Sequence, residues 1–118
     1  MNSEQFIKHL QHMQEVSVKT LESKASEYAS DDDRLHNFKV AAAVQGITPM
    51  EALGGMMAKH TVSVYDMIGG SLVHPLALWE EKIKDHINYL FLLWAMVHEE
   101  RELLCCEGTV REECDERC

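Results

Sequence analysis

The 118-residue sequence predicts an all-α fold, a bundle of three main helices and a short one. Two observations carry the prediction. The six glycines and two prolines stand as punctuation, and no run alternates apolar and polar residues with the period of two that a half-buried strand requires. Apolar residues instead recur at helical spacing over stretches of twenty residues and more.

Ser3 is a plausible N-cap for the first helix, with Glu4 in its first turn and apolar positions at Phe6, Leu10, Met13, Val16, Leu21, Ala25 and Tyr28; the helix should run to about Ala29. "SDDD" (Ser30 to Asp33) supplies caps and negative charge for a short helix through "RLHNFKVAAAVQ" that stops at Gly46. Thr48, Pro49 and Glu51 then read as N-cap, first helical residue and capping-box partner. That helix should last to Ile68, where Gly69 and Gly70 end it. Gly54 and Gly55 inside it cost roughly 1 kcal/mol each relative to alanine, which suggests close approach of a neighbouring helix or a ligand. Pro75 opens the longest helix, reaching toward Cys106. Residues 1–106 thus form one domain, with 107–118 as an acidic, cysteine-containing tail.

Two helices are apolar on more than one side. On a wheel of about 100° per residue, Leu76, Trp79, Ile83, Ile87, Leu90, Trp94 and Val97 form what reads as the core stripe of the last helix. Glu81, Asp85, Asn88, Leu92, Ala95 and Met96 fall on the opposite side. A solvent-facing side would not turn to Leu, Ala and Met, so Glu81, Asp85 and Asn88 look into a crevice or a subunit interface, where carboxylates need a cationic partner. The other reading keeps Glu81 and Asp85 on wet first turns, paired with Lys82 or Lys84. In the Thr48 to Ile68 helix, Leu53, Met57, His60, Val64, Met67 and Ile68 make the core stripe, and Lys59 lies on the other side. His60 there reads as a core histidine or as a ligand contact. Since both helices need cover on a second face, the chain is expected to form a homo-oligomer, a dimer or tetramer.

Composition excludes several functions. Twenty acidic residues against eleven basic ones give a formal charge of −9, which disfavours bulk nucleic-acid binding through a basic face. Eight acids and three arginines between Glu99 and Cys118 carry −5 of it, so a local phosphate pocket in the body is still open. The start "MNSEQFIKHLQHMQ" lacks an apolar segment of signal-peptide length, and the longest apolar run, Ile87 to Val97, is too short to span a bilayer. A cytoplasmic protein with reduced thiols is expected, so the four cysteines do not automatically make a disulfide framework. Cys105, Cys106, Cys114 and Cys118 could make a thiolate zinc site, but they lack the Cys-x-x-Cys knuckle; a flexible acidic end is the plainer reading.

The order of motifs "KASEYA" (Lys24 to Ala29), "NFK" (Asn37 to Lys39), "MMAKHTVSVYDMI" (Met56 to Ile68) and "WEEKIKDHINYLFLL" (Trp79 to Leu93) resembles the phage-associated nucleotide-modification domain. That family looks like a branch of the MazG and dUTPase-type all-α nucleoside triphosphate pyrophosphohydrolases, and the likeness covers roughly Thr20 to Glu100. It implies a helical bundle that oligomerises and builds a nucleotide site between helices. Lys24, Tyr28, Asn37, Phe38, Lys59 and Asn88 would line that site, and Glu81 with Asp85 would hold Mg²⁺. Pyrophosphohydrolases of this type carry a Glu-x-x-Glu pair on one helix and a Glu-x-x-Asp pair on the next. Here Asp85 matches the aspartate, Lys82 occupies the place three before it, Glu81 stands four before it, and the earlier helix offers only Glu51 and Asp66.

Three functions follow. The first is a nucleotide-binding protein, phage or prophage in type, that holds or sequesters a nucleotide with weak or no turnover. The second is a Mg²⁺-dependent pyrophosphohydrolase on the same scaffold. The third is a non-catalytic oligomeric interaction module. The depleted acids favour the first over the second.

Overall fold

A computed structural model describes residues 1–28, 33–70 and 73–106, the side chains of residues 25–28 excepted. It is helical throughout: α1 Ser3–Tyr28, α2 His36–Gln45, α3 Pro49–Gly69 and α4 Leu76–Cys106, with no strand among the described residues. No described helix is long and apolar enough to cross a membrane.

The helix ends follow local chemistry. At the start of α1 the capping residue is Asn2 rather than Ser3: Asn2 Oδ1 accepts from the Gln5 amide and Gln5 Oε1 from the Asn2 amide, both at 2.9 Å. This is a reciprocal capping box made one residue earlier than expected. Ser30, Asp31 and Asp32, read as caps for α2, lie outside the described residues. Asp33 alone is seen to act, its Oδ1 accepting from the Leu35 amide at 2.9 Å. α2 stops because Gly46 adopts the left-handed conformation (φ 69°), returning its amide to the Ala42 carbonyl. Thr48 caps α3 as expected, accepting from the Glu51 amide at 3.1 Å, with Pro49 in the first turn.

α2 packs on α3, α3 on α4 and α1 on α4. α3 and α4 run antiparallel, since Thr61 meets His86 at one end and Leu53 meets Met96 in the core toward the other. α1 runs alongside α4 in the same direction, with His12 against Glu80 early on and Leu21 near Leu92 further along. The core is small: Leu35, Phe38, Leu53 and Met96 are buried, with Met50, Met56, Tyr89, Leu92 and Leu93 packed against them. Thioether side chains suit this irregular junction of three helices because their unbranched chains adapt to its shape.

Four sequence expectations are corrected here. The α4 stripe assigned to the core is largely uncovered: Leu76 is 84%, Leu90 48% and Trp94 62% exposed, and burial falls instead on the side of Asn88 and Met96. On α1, Phe6 and Leu10 are exposed, and the inner face begins only at Met13 and runs through Val16, Ser17, Thr20 and Leu21. Gly54 and Gly55 are not sites of close approach, because a Cβ at either would meet nothing within 4 Å. Ile68, placed on the α3 core stripe, is exposed as well, whereas Leu53 and Met67 on that stripe are buried.

A three-residue ion pair pins the start of α2 to α4. Lys39 Nζ donates to Asp33 Oδ2 at 2.8 Å and to Glu99 Oε1 at 2.6 Å. The hydrogen bond from Lys39, aided by the Leu35 amide, holds the Asp33 carboxyl below its usual range; the same two carboxylates raise the Lys39 ammonium. At the far end of α4, Cys106 is a free, exposed thiol, while Cys105 is disulfide-bonded, against the expectation of reduced cysteines. Cys114 and Cys118, and with them any zinc site in the tail, lie outside the described residues.

Candidate functional site

All four helices contribute to one cavity of about 410 Å³. Its size is that of a small-molecule site, toward the lower end of the range. From α1 come Thr20, Leu21 and Lys24, and Arg34 and Asn37 lie on and just ahead of α2. The α3 wall holds Met56 and His60, four apart on one helical face, and the α4 wall holds Asp85, Asn88, Tyr89 and Leu92 at helical spacing. Phe38 completes the lining from the core side, where it is buried.

Of the residues singled out from the sequence, Lys24, Asn37, Phe38, Asp85 and Asn88 meet around this cavity. Two do not meet there. Lys59 is exposed on α3 and lines neither this cavity nor the neighbouring one. Glu81 is also exposed, with its carboxylate 4.0 Å from Lys82 Nζ, as the wet-turn reading had it. Tyr28 closes α1, and its side chain lies outside the described residues. The separation of Glu81 from Asp85 has a simple cause. Residues four apart share a helix face only approximately, and Asp85 is one turn deeper, where α3 covers it.

Among the described residues, the interior of the cavity is polar and carries one acid, Asp85. Asn88 is 6% exposed, and its Oδ1 has no hydrogen-bond partner among the described residues. An acceptor left so costs about 1–3 kcal/mol unless water or a ligand donates to it. Beside it, the Tyr89 and His60 rings lie 4.6 Å apart and 33° from parallel, and Phe38 meets Tyr89 edge-on at 6.3 Å. Burial lowers the His60 pKa despite the opposing pull of Asp85, so the imidazole is neutral at pH 7. Burial also raises Tyr89, with Asp85 adding to the effect, which keeps the phenol a donor. Two aromatic rings and two amides therefore offer flat apolar surface with donors and acceptors at its rim.

The solvent edge is cationic. Lys24 and Arg34 are both exposed and both line the cavity. Arg34 is held in place by donating from Nη2 to the Leu21 carbonyl at 2.9 Å, which ties the approach to α2 against α1. A guanidinium so fixed keeps further donors for a carboxylate or phosphate. A second cavity of about 560 Å³ shares Leu21, Arg34 and Leu92 with the first. Its two acids, Asp33 and Glu99, are already engaged by Lys39.

Arg34 and Tyr89 are the residues that sequence reasoning missed as site members, and His60 is the one for which it preferred a core role. Tyr89 follows Asn88 directly in "DHINYL", Arg34 stands one turn before Asn37, and His60 one turn after Met56, so helical spacing carried a signal for each. What concealed them was the plainer role each could have had, as core ring, solvated cation or core histidine.

Among the described residues no metal site assembles. No group of three or more His, Cys, Asp or Glu side chains comes together among the described residues, and Asp85 is the one acid lining the cavity. Asp85 alone would hold Mg²⁺ only together with the phosphates of a bound ligand. No family model, curated protein or solved structure matches the chain.

Proposed function

We propose that the chain binds a nucleotide or nucleotide-derived small molecule in the four-helix cavity and holds it with weak or no turnover, on a MazG-like helical scaffold of phage or prophage type. The observation that carries this reading is the buried carbonyl oxygen of Asn88, without a partner among the described residues, on a residue that lines a cavity edged by Lys24 and Arg34. The pairing of a buried hydrogen-bond acceptor with cations at the mouth matches a ligand that has a donor-bearing ring at one end and an anion at the other. The His60–Tyr89 ring pair supplies surface against which a planar base would pack.

Asp85 in the same cavity supports a second reading, Mg²⁺-dependent pyrophosphohydrolysis. Hydrolysis through metal ions rests on several carboxylates that place the ions and the attacking water. One lining acid supplies less than that, so binding without efficient turnover is preferred. Under the third reading, an interaction module, the cavity takes no small ligand.

The purified protein should be screened against a panel of canonical and modified nucleotides by thermal denaturation, with and without Mg²⁺. A ligand that binds only the folded state raises Tm. The expected outcome is a rise with at least one nucleotide that the double variant Lys24→Gln/Arg34→Gln loses while keeping its helix content. No rise with any member of the panel would reject the reading. Chromatography of the same mixtures separates the first two readings: Mg²⁺-dependent product at about 1 per second or faster would establish the hydrolase.

A further inference from the structure

The side of α4 facing away from the cavity is apolar and uncovered. Leu76, Ile83, Leu90 and Trp94 are 84%, 37%, 48% and 62% exposed. At about 100° per residue they fall in one narrow strip, opposite Asp85, Asn88 and Leu92. Phe91, at 45%, borders it. From Ile87 to Val97 the helix carries no charged residue on any side, the composition of a helix covered all round, yet the fold covers only part of it.

We propose that this strip is the self-association face of the protein, with α4 of a second copy packed on it about a two-fold axis. Area supports a second copy as the occupant. At roughly 200 Å² per large side chain, the five residues bare on the order of 500 Å² of apolar surface. A standard interface takes about 800 Å² from each partner, and about 60% of that is apolar. The strip therefore supplies the apolar share of one side of a stable dimer, and it lies at the top of the size range of apolar patches on monomers. Spacing supports it too: Leu76, Ile83 and Leu90 are seven apart, the repeat with which two helices pack at a shallow angle. An isologous pairing needs only that one strip be presented twice. The chain's own terminus is a poor cover, because seven of residues 107–118 are charged.

The cavity lies on the opposite side of α4, so dimerisation leaves it open, and the two activities should separate by mutation. The inference does not rest on the proposed ligand.

Sedimentation of the full chain at micromolar concentration tests it, beside Trp94→Glu and Leu90→Glu, each at an exposed position. The expected result is a wild-type dimer and, in each variant, a dissociation constant raised by roughly 30-fold or more, with the helical circular dichroism unchanged. The milder Leu76→Ser variant, at the most exposed position, guards against a folding defect in the other two. A wild-type protein that stays monomeric overturns the proposal, including the case in which another segment or partner covers the strip. A dimer that persists in all three folded variants also overturns it, by placing the interface elsewhere. Nucleotide-dependent Tm shifts measured on the same samples report on the cavity independently.

Discussion

Asn88 is the residue whose chemistry most constrains the function. An amide placed 94% out of solvent with its oxygen unpaired is unfavourable in the free protein. Replacing it with leucine should therefore leave the free chain as stable as before or raise its stability by on the order of 1 kcal/mol, while abolishing the nucleotide-dependent rise in Tm. Urea unfolding with and without ligand checks both halves; a large loss of stability in Asn88→Leu would show that the amide is a structural group. His60 gives a second, pH-dependent expectation. Burial depresses its folded pKa, so the unfolded chain takes up this proton more readily than the folded one. The stability it contributes is complete above the unfolded value of about 6.5 and is lost as pH falls below it toward the depressed folded value. Unfolding curves between pH 5 and 7.5 should fall less steeply toward acid in His60→Gln than in the wild type. An identical slope in both proteins would reject this role for His60.

At the scale of the elements, the local rules hold well and their exceptions are instructive. Thr48, Pro49 and Gly46 act as their types predict because each works through bonds within four residues. Asn2 displaced Ser3 as cap of α1 because Gln5 stands at the distance that lets both side chains bond reciprocally. The two glycines inside α3 are unexplained by packing: the space beside each is empty. Gly55 is exposed and helical, so Gly55→Ala should stabilise the protein by about 1 kcal/mol through propensity and the entropy of the unfolded chain. A loss of stability, read as a lower urea midpoint, would mean that something outside the chain approaches that backbone.

For the whole molecule, the weakest attachment is α1. Its first ten residues, Ser3 to His12, are all exposed, and its main packing is on α4, whereas α3 and α4 share the buried cluster around Leu53 and Met96. Hydrogen exchange should show amides of residues 7–12 opening about 100-fold or more faster than those of residues 52–57 and 88–96, in line with local rather than global unfolding. Equal protection would show that the outer face of α1 is also covered in solution. Lys24 and Thr20, at the cavity, belong to the attached half of α1, so fraying of the first turns leaves the site intact.

The all-helical class, the four helices and most of their ends were legible in the sequence, because caps, prolines, glycines and period are short-range properties. So were five residues of the cavity: Asp85 and Asn88 could be named because a polar group among apolar helical neighbours marks a place that is neither plain core nor plain surface, and Lys24, Asn37 and Phe38 through the resemblance that their motifs carry. The sequence could not decide which side of α4 faces inward. Both sides are apolar through its middle turns, and periodicity measures only that a face exists, not which neighbour reaches it. Packing against α2 and α3 buried the Asn88–Met96 side and left the Leu76–Trp94 side bare. That choice also moved Glu81 and Lys59 out of the site and brought Arg34, His60 and Tyr89 into it. Where helices offer two comparable faces, the fold is settled by which pair of surfaces interlocks with the least void, a property of three helices together that no single segment contains.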